Sequence, residues 1–297
     1  MIYHDKLSYV CWLFVGFYRF IEKMPWKLFE ESVFKYLTEN ICIEDVNFSY
    51  LGNSDSTKGD IEVNFRNAQI FNIECKENES QSSQFVLEID RKNEIFFFSK
   101  KNKSSPSNAN QIINHMNNNF NYYAGFKKSK NLNNKLLCEK EFLYKFVIDN
   151  LISKGSRFIA TSKNRKEPYN QKNIIFFPTG ELESYFDLFG TYRTKQSGSR
   201  IPSKKDLIAF PYETFEIQEF KKKRFFVNDI NSEIPDRIGD KFFLQKANSL
   251  GRRELRIRGK TKNHNVIFSL KLKKNLKNNI CENYIKKLIF QEIQKFI

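Results

Sequence analysis

Asp60, Glu74 and Lys76 are the residues of this chain best suited to chemistry. They stand in two short runs, GDIEVNF and IFNIECKEN, divided by a brief break. The alternation of apolar and polar positions predicts two β-strands, whose successive side chains point to opposite faces. Glu74 and Lys76 then share one face, and Cys75 takes the other. If the strands pair, Asp60, at the head of the first, approaches Glu74 on the second. Two carboxylates beside one ammonium make a small site for a hard cation such as Mg²⁺, with a positive group beside the metal-bound water. The competing reading of the same residues is a β-hairpin whose Glu74 makes an exposed salt bridge with a lysine.

The pattern resembles the PD-(D/E)XK nuclease superfamily. Gly59-Asp60 stands for the PD element, with glycine in place of proline, and Glu74-Cys75-Lys76 stands for (D/E)XK. Residues 25–37, PWKLFEESVFKYL, resemble the helix that precedes the acidic strand in that superfamily. Pro25 suits a first helical turn, and Phe29, Val33, Tyr36 and Leu37 recur at helical spacing. Glu30 lies in the phrase Phe-Glu-x-x-Val and is the candidate for an outer carboxylate of the metal site, with Glu31 as its rival. A glutamate that merely favours the helix N-terminus explains the same position. The resemblance spans residues 25–78.

What the resemblance implies is a fold and an activity. The fold is an α/β restriction-endonuclease-like core, a mixed central sheet flanked by helices, joined to a basic C-terminal α+β part. The activity is that of a type II restriction enzyme, a Mg²⁺-dependent, sequence-specific endonuclease of double-stranded DNA that leaves 5′-phosphates. Asp60 and Glu74 hold the metal, with the Cys75 carbonyl as a further ligand. Lys76 orients or helps deprotonate the attacking water and stabilises the charged phosphorane. Two further partners are implied: a second copy in a homodimer, and a DNA methyltransferase that acts on the same site without forming a stable complex. The same core also serves repair, junction and RNA-directed nucleases. A non-catalytic nucleic-acid-binding protein with a structural acid–amine cluster is the other alternative.

Composition is consistent with a nucleic-acid partner. Lys and Arg number 50 against 34 Asp and Glu, a net charge of +16. The pI is about 9.5. Such a surplus points to a polyanion, with nucleic acid first and an anionic membrane surface second. The abundance of Lys, Asn, Ile and Phe also fits an AT-rich coding sequence, which accounts for part of the charge. The cysteines at 11, 42, 75, 138 and 281 form no CxxC pair and do not cluster with the histidines at 4, 115 and 264. This excludes an obvious zinc site and fits reduced thiols in the cytoplasm. So few histidines count against histidine-dependent nucleases and a Ser-His-Asp hydrolase. No GxxxxGK[ST] phosphate loop is present, which argues against a motor-coupled enzyme. Residues 7–21 are apolar, but they fall short of the roughly 20 residues of a spanning helix and contain Arg19. They are expected to form a buried helix or one side of a dimer contact rather than a membrane segment.

The chain, 297 residues long, is expected to divide into a catalytic core, 1–180, and a basic recognition region, 181–297, packed on it. Strands are expected over 85–89, 94–99, 157–161 and 173–177, and helices over 110–123 and 139–153. Residues 181–190 read as a short helix and 191–206, TYRTKQSGSRIPSKKD, as a basic loop with few core residues. Strands over 224–227, 254–258 and 265–272 and an amphipathic helix over 282–297 complete the pattern. Arg193, Lys195, Gln196, Ser197, Ser199, Arg200 and Lys204 combine phosphate-neutralising cations with groups that hydrogen-bond base edges. They are the candidate DNA-reading set, against the alternative of a solvated loop. Arg252, Arg256 and Arg258 share one face of a strand with Glu254, and that face suits a phosphate backbone or solvent equally.

Overall fold

Phe29, Val33 and Leu37 recur every four residues, and all are buried against the sheet behind them. They make helix α1 (Pro25–Asn40) amphipathic. A computed structural model describes residues 25–52, 57–102, 109–125, 134–164, 166–167, 169–195, 197–198, 217–221, 224–227, 241–249, 252–261, 263–274 and 282–295. The apolar segment 7–21 and the candidates Gln196, Ser199, Arg200 and Lys204 lie outside the described residues.

Strand β1 (Val46–Tyr50) follows α1 and pairs antiparallel with β2 (Ile61–Phe65), which turns into β3 (Ala68–Cys75). The β2–β3 connection is the two residues Arg66 and Asn67, both with positive φ, as a type I′ hairpin turn requires. Arg66 is held there by Asp45 at 2.9 Å. Strands β4 (Gln81–Asp90) and β5 (Ile95–Phe98) form a second hairpin. Helices α2 (Ala109–Asn118) and α3 (Phe120–Ala124) come next, followed by the short strand β6 (Asn134–Lys135) and helix α4 (Lys140–Ser153). Helix α4 is the crossover that lets β7 (Ser156–Ser162) lie parallel to β3. Strand β8 (Ile174–Pro178) closes this first sheet, whose order is β1-β2-β3-β7-β8.

Beyond the single-turn helix α5 (Leu182–Tyr185), strand β9 (Phe186–Thr194) enters a second sheet. Strands β10 (Ser197–Gly198), β11 (Ile217–Lys221), β12 (Arg224–Val227), β13 (Phe242–Ser249) and β14 (Arg252–Lys260) form a third sheet. Strand β15 (His264–Leu272) then returns to the second sheet, whose order is β5-β4-β15-β9-β6. Helix α6 (Glu282–Ile293) ends the described chain. One core lies between the first sheet and helices α1 and α6, with Ile289 and Ile293 of α6 buried beside Phe71 and Phe158. The other fills the space around α2 and α4, between the opposite face of the first sheet and the second sheet. Among the described residues, no helix is long and apolar enough to cross a membrane.

Three expectations change. The short helix expected over 181–190 is a single turn, and 186–194 is a strand. Phe186, Leu188 and Tyr192 alternate into the core while β9 pairs with β15 along its whole length, and this ladder outweighs a local helical pattern. Arg193 therefore belongs to a strand rather than to a loop. The helix expected over 110–123 is interrupted at Asn119, whose φ of −121° is not helical. Strand β15 lies between β4 and β9, so residues from both sides of 180 build one sheet. Only β10–β14 stand in a sheet of their own.

This placement makes β15 a structural centre. Phe268 is fully buried and stacks on Phe146 of α4 at 4.6 Å. Phe268→Ala is expected to destabilise the protein by about 3–5 kcal/mol, the cost of emptying a closed core. Urea unfolding measures it, and a loss below about 1 kcal/mol would show that β15 is peripheral to the fold.

Candidate active site

Asp60 stands immediately before β2, and Glu74 lies near the end of β3, with Lys76 just past it. Antiparallel pairing sets Ile61 opposite Ile73, and the Asp60 N–H donates to the Ile73 carbonyl at 3.1 Å. The Cys75 N–H donates to Asp60 Oδ2 at 2.7 Å, so the backbone of one strand fixes the carboxylate of the other. Lys76 Nζ lies 2.8 Å from Glu74 Oε1 and 3.7 Å from Asp60 Oδ2. One ammonium therefore bridges two carboxylates, and all three side chains are largely hidden from water.

Period-two alternation divides β3 between two tasks. Phe71, Ile73 and Cys75 enter the α1 core, and Asn72 and Glu74 take the other face. The Cys75 thiol is buried and pushed well above its ordinary pKa, first by burial and then by Asp60 and Glu30. Only its backbone belongs to the site. Gly59 is required by the same face: a Cβ there would stand 2.5 Å from Asn72 Cβ, an atom that cannot swing aside. Asn72 thus decides that glycine precedes Asp60.

Glu30 reaches the site from α1. It is 7% exposed and accepts a hydrogen bond from the Tyr50 hydroxyl at 3.1 Å. Burial and then the Asp60 charge lift its carboxyl to about 7, against the opposing pull of the Tyr50 hydrogen bond and Lys76. Glu31 is only half-buried, and Glu30 is the one whose charge couples to Asp60. The Tyr50 phenol is in turn pushed well up by burial and by Glu30.

Two residues that sequence reasoning missed complete the cluster. Lys154 follows the last residue of α4, and its Nζ lies 3.4 Å from Glu74 Oε1. Ser156, at the start of β7, donates to Glu74 Oε2 at 3.5 Å. Burial alone would raise the Glu74 carboxyl, but the ammoniums of Lys76 and Lys154 outweigh it and hold it below the ordinary range. Asp60 stays raised, by burial first and then by Glu74, against the opposing pull of Lys76, the Cys75 N–H and Lys154. Lys76 is pushed up by Glu74 and Asp60 against the cost of its burial.

This charge pattern tests the site for a metal. Three carboxylates, Glu30, Asp60 and Glu74, face two ammoniums. Among the described residues, no group of three or more His, Cys, Asp or Glu side chains is placed to hold a metal ion. What stands here is an open pair of hard oxygen donors, Asp60 and Glu74. Such a donor set fits Mg²⁺ and not a thiophilic metal.

The candidate DNA-reading residues are elsewhere. Arg193 sits in β9 opposite Asn265 of β15, and its Nε is buried with no hydrogen-bond partner among the described residues. The Lys195 N–H donates to the Asn263 carbonyl at 2.7 Å. Ser197 lies in β10, opposite Lys260 of β14. Arg252, Arg256 and Arg258 alternate along β14, in register with Ser249, Gln245 and Phe243 of β13. The described members of this set lie in the second and third sheets, and the acidic cluster is on strands of the first. Leu270, near the site end of β15, is opposite Leu188, and at about 3.4 Å per residue Arg193 lies roughly 17 Å further along β9.

Comparison with known proteins gives one clear likeness. The chain matches the structure of HhaI endonuclease in complex with DNA, with a TM-score of 0.68 and 30% sequence identity, over 91% of this chain and 100% of that one. No protein-family model and no curated protein sequence matches.

The raised Glu30 carboxyl has a consequence for stability. A group whose pKa is raised by folding contributes stability below its unfolded value, and that contribution is lost as pH rises through the folded value, here from 4.5 toward about 7. In metal-free buffer, Glu30→Gln is expected to reduce the stability lost between about pH 5 and 8 by roughly 1–2 kcal/mol, allowing for solvent access to the site. Urea unfolding of both proteins across that range, in EDTA, checks it. Parallel curves would place Glu30 in ordinary solvent contact.

Proposed function

The chain belongs to the family of HhaI endonuclease, and on that premise we propose that it is a Mg²⁺-dependent, sequence-specific endonuclease of double-stranded DNA, a type II restriction enzyme. The observation that carries the reading is the single ammonium of Lys76 lying between Glu74 and Asp60 on neighbouring strands. Asp60 and Glu74 would hold the metal, with the Cys75 carbonyl beside them. When bound there, Mg²⁺ supplies Lewis-acid polarisation of the scissile phosphate and lowers the pKa of a coordinated water.

The protein's own groups do the rest. Lys76, kept protonated by its two carboxylates, would offer a positive charge to the phosphate as it gains negative charge in the transition state. Asp60 is locked by the Cys75 N–H, so its free oxygen faces the site without a rotamer search. Glu30 and Tyr50 form the outer wall, and Glu30 would act through Asp60. Hydrolysis here would leave a 5′-phosphate. The net charge of +16 draws in the polyanionic substrate. Two copies related by a two-fold axis would read the halves of a palindrome, and a methyltransferase acting on the same sequence would protect host DNA in the cytoplasm.

Asp60→Ala, Glu74→Ala and Lys76→Ala are each expected to abolish cleavage, and Glu30→Ala to slow it less. Plasmid digestion in Mg²⁺ reads this out, with DNA binding but no cleavage expected in Ca²⁺ and no cleavage in excess EDTA. Full activity of Asp60→Ala, or cleavage in EDTA, would overturn the assignment.

For recognition, Arg193 and Arg200 are proposed as base-reading residues and Arg256 as a phosphate contact. Arg193→Ala and Arg200→Ala are then expected to cost about 1–3 kcal/mol at the cognate duplex and little on a scrambled one. Arg256→Ala is expected to weaken both alike and lower the salt slope by about one. Equilibrium binding in Ca²⁺ across a salt series separates these outcomes, and equal losses on both duplexes for the Arg193 and Arg200 variants would exclude them as readers.

A further inference from the structure

Glu74 Oε1 carries two ammoniums, Lys76 at 2.8 Å and Lys154 at 3.4 Å. They are not equivalent. Lys76 has a second acceptor in Asp60 Oδ2 at 3.7 Å and stands between the two strands. Lys154 approaches from behind Glu74, from the turn between α4 and β7. That turn is fastened at several points. The Gly155 N–H donates to the Ile152 carbonyl at 2.8 Å, and Gly155 takes a φ of +75°, which closes the helix end. The Asn72 side-chain amide donates to the Lys154 carbonyl at 2.7 Å, and the Asn72 backbone N–H donates to the Gly155 carbonyl at 2.8 Å. Gln69 donates to the remaining oxygen of the Asn72 amide at 2.8 Å. The amide nitrogen and the backbone N–H of Asn72 both hold the turn that carries Lys154, from the same strand that carries Glu74.

Resting on the endonuclease reading above, we infer that Lys154 is a positioning residue: it holds Glu74 through Oε1, so that Lys76 is released from that oxygen to meet the reacting phosphate. The physical reason is the burial of Glu74, which is 2% exposed. A buried carboxylate left without a cation is costly, and a single lysine serving both Glu74 and the phosphate would strand one to reach the other. With Lys154 anchored from the backbone, Glu74 keeps a counter-charge and a fixed orientation while Lys76 moves. Ser156 steadies the second oxygen, Oε2, at 3.5 Å. Asn72 acts one step further back, through the turn.

The test compares the full-length parent with Lys154→Met and Lys154→Arg in three measurements. The first is single-turnover cleavage in saturating Mg²⁺. The second is binding of the same duplex in Ca²⁺ across a salt series. The third is a thermal-melting cycle without metal or DNA, combining Lys154→Met with Glu74→Gln. Lys154→Met is expected to slow cleavage by roughly tenfold or more while leaving DNA affinity and its salt dependence as in the parent, and Lys154→Arg to retain the rate within about threefold. In the melting cycle, the two changes together are expected to lower the melting temperature by less than the sum of their separate effects. Cleavage by Lys154→Met within about twofold of the parent would overturn the inference. Weakened binding with a salt slope reduced by about one would also overturn it, because Lys154 would then be a phosphate contact. Additive melting shifts would show that Lys154 does not hold Glu74. If the parent cuts no DNA at all, the endonuclease reading fails alone, and the melting cycle still decides whether Lys154 holds Glu74.

Discussion

A carboxylate sealed inside a protein must be met by positive charge or give up its own, and Glu74 is sealed at 2% exposure. This molecule answers with two lysines on one oxygen. Lys76 comes from the same strand, two residues on. Lys154 reaches it only because β7 runs parallel to β3, which sets Ser156 beside Asn72 and Ile159 beside Glu74. Parallel pairing demands a crossover, and α4 is that crossover. The buried faces of α4 supply Phe146 and Val147 to the core against the second sheet. The charge balance at one side chain is therefore tied to the packing of the first sheet against the second.

Holding charge on Asp60 and Glu30 carries a cost, set by burial first and by neighbouring carboxylates after it. A hard divalent cation would relieve it.

The second sheet links this cluster to the basic part of the chain. Strand β15 begins at His264, close to Arg193 and Lys195, and runs toward Leu270, whose N–H donates to the Ser80 carbonyl just beyond the active-site strand. The third sheet continues from the far end, where Ser197 and Gly198 pair with β14.

How much of this was legible beforehand depends on the range of each interaction. The sequence by itself determined that Glu74 and Lys76 share a face with Cys75 opposite, because strand alternation is set by backbone geometry over adjacent residues. It determined helix α1, whose apolar spacing is local, and it placed Asp60 at the head of the paired strand. It also pointed to a polyanionic partner, since net charge is a sum that needs no fold. Tertiary structure decided what local rules leave open. Glu30 rather than Glu31 faces Asp60 because the packing of α1 chooses which side turns inward. Residues 186–194 became a strand because β15 offered a ladder of backbone partners from far along the chain. Gly59 was required by Asn72, a neighbour across the strand pair. Lys154, 80 residues from the carboxylate it meets, carried no local signal beyond the Lys-Gly of a helix end. Its role exists only once two strands lie parallel, and parallel register is settled by the whole sheet and its crossover rather than by any segment alone.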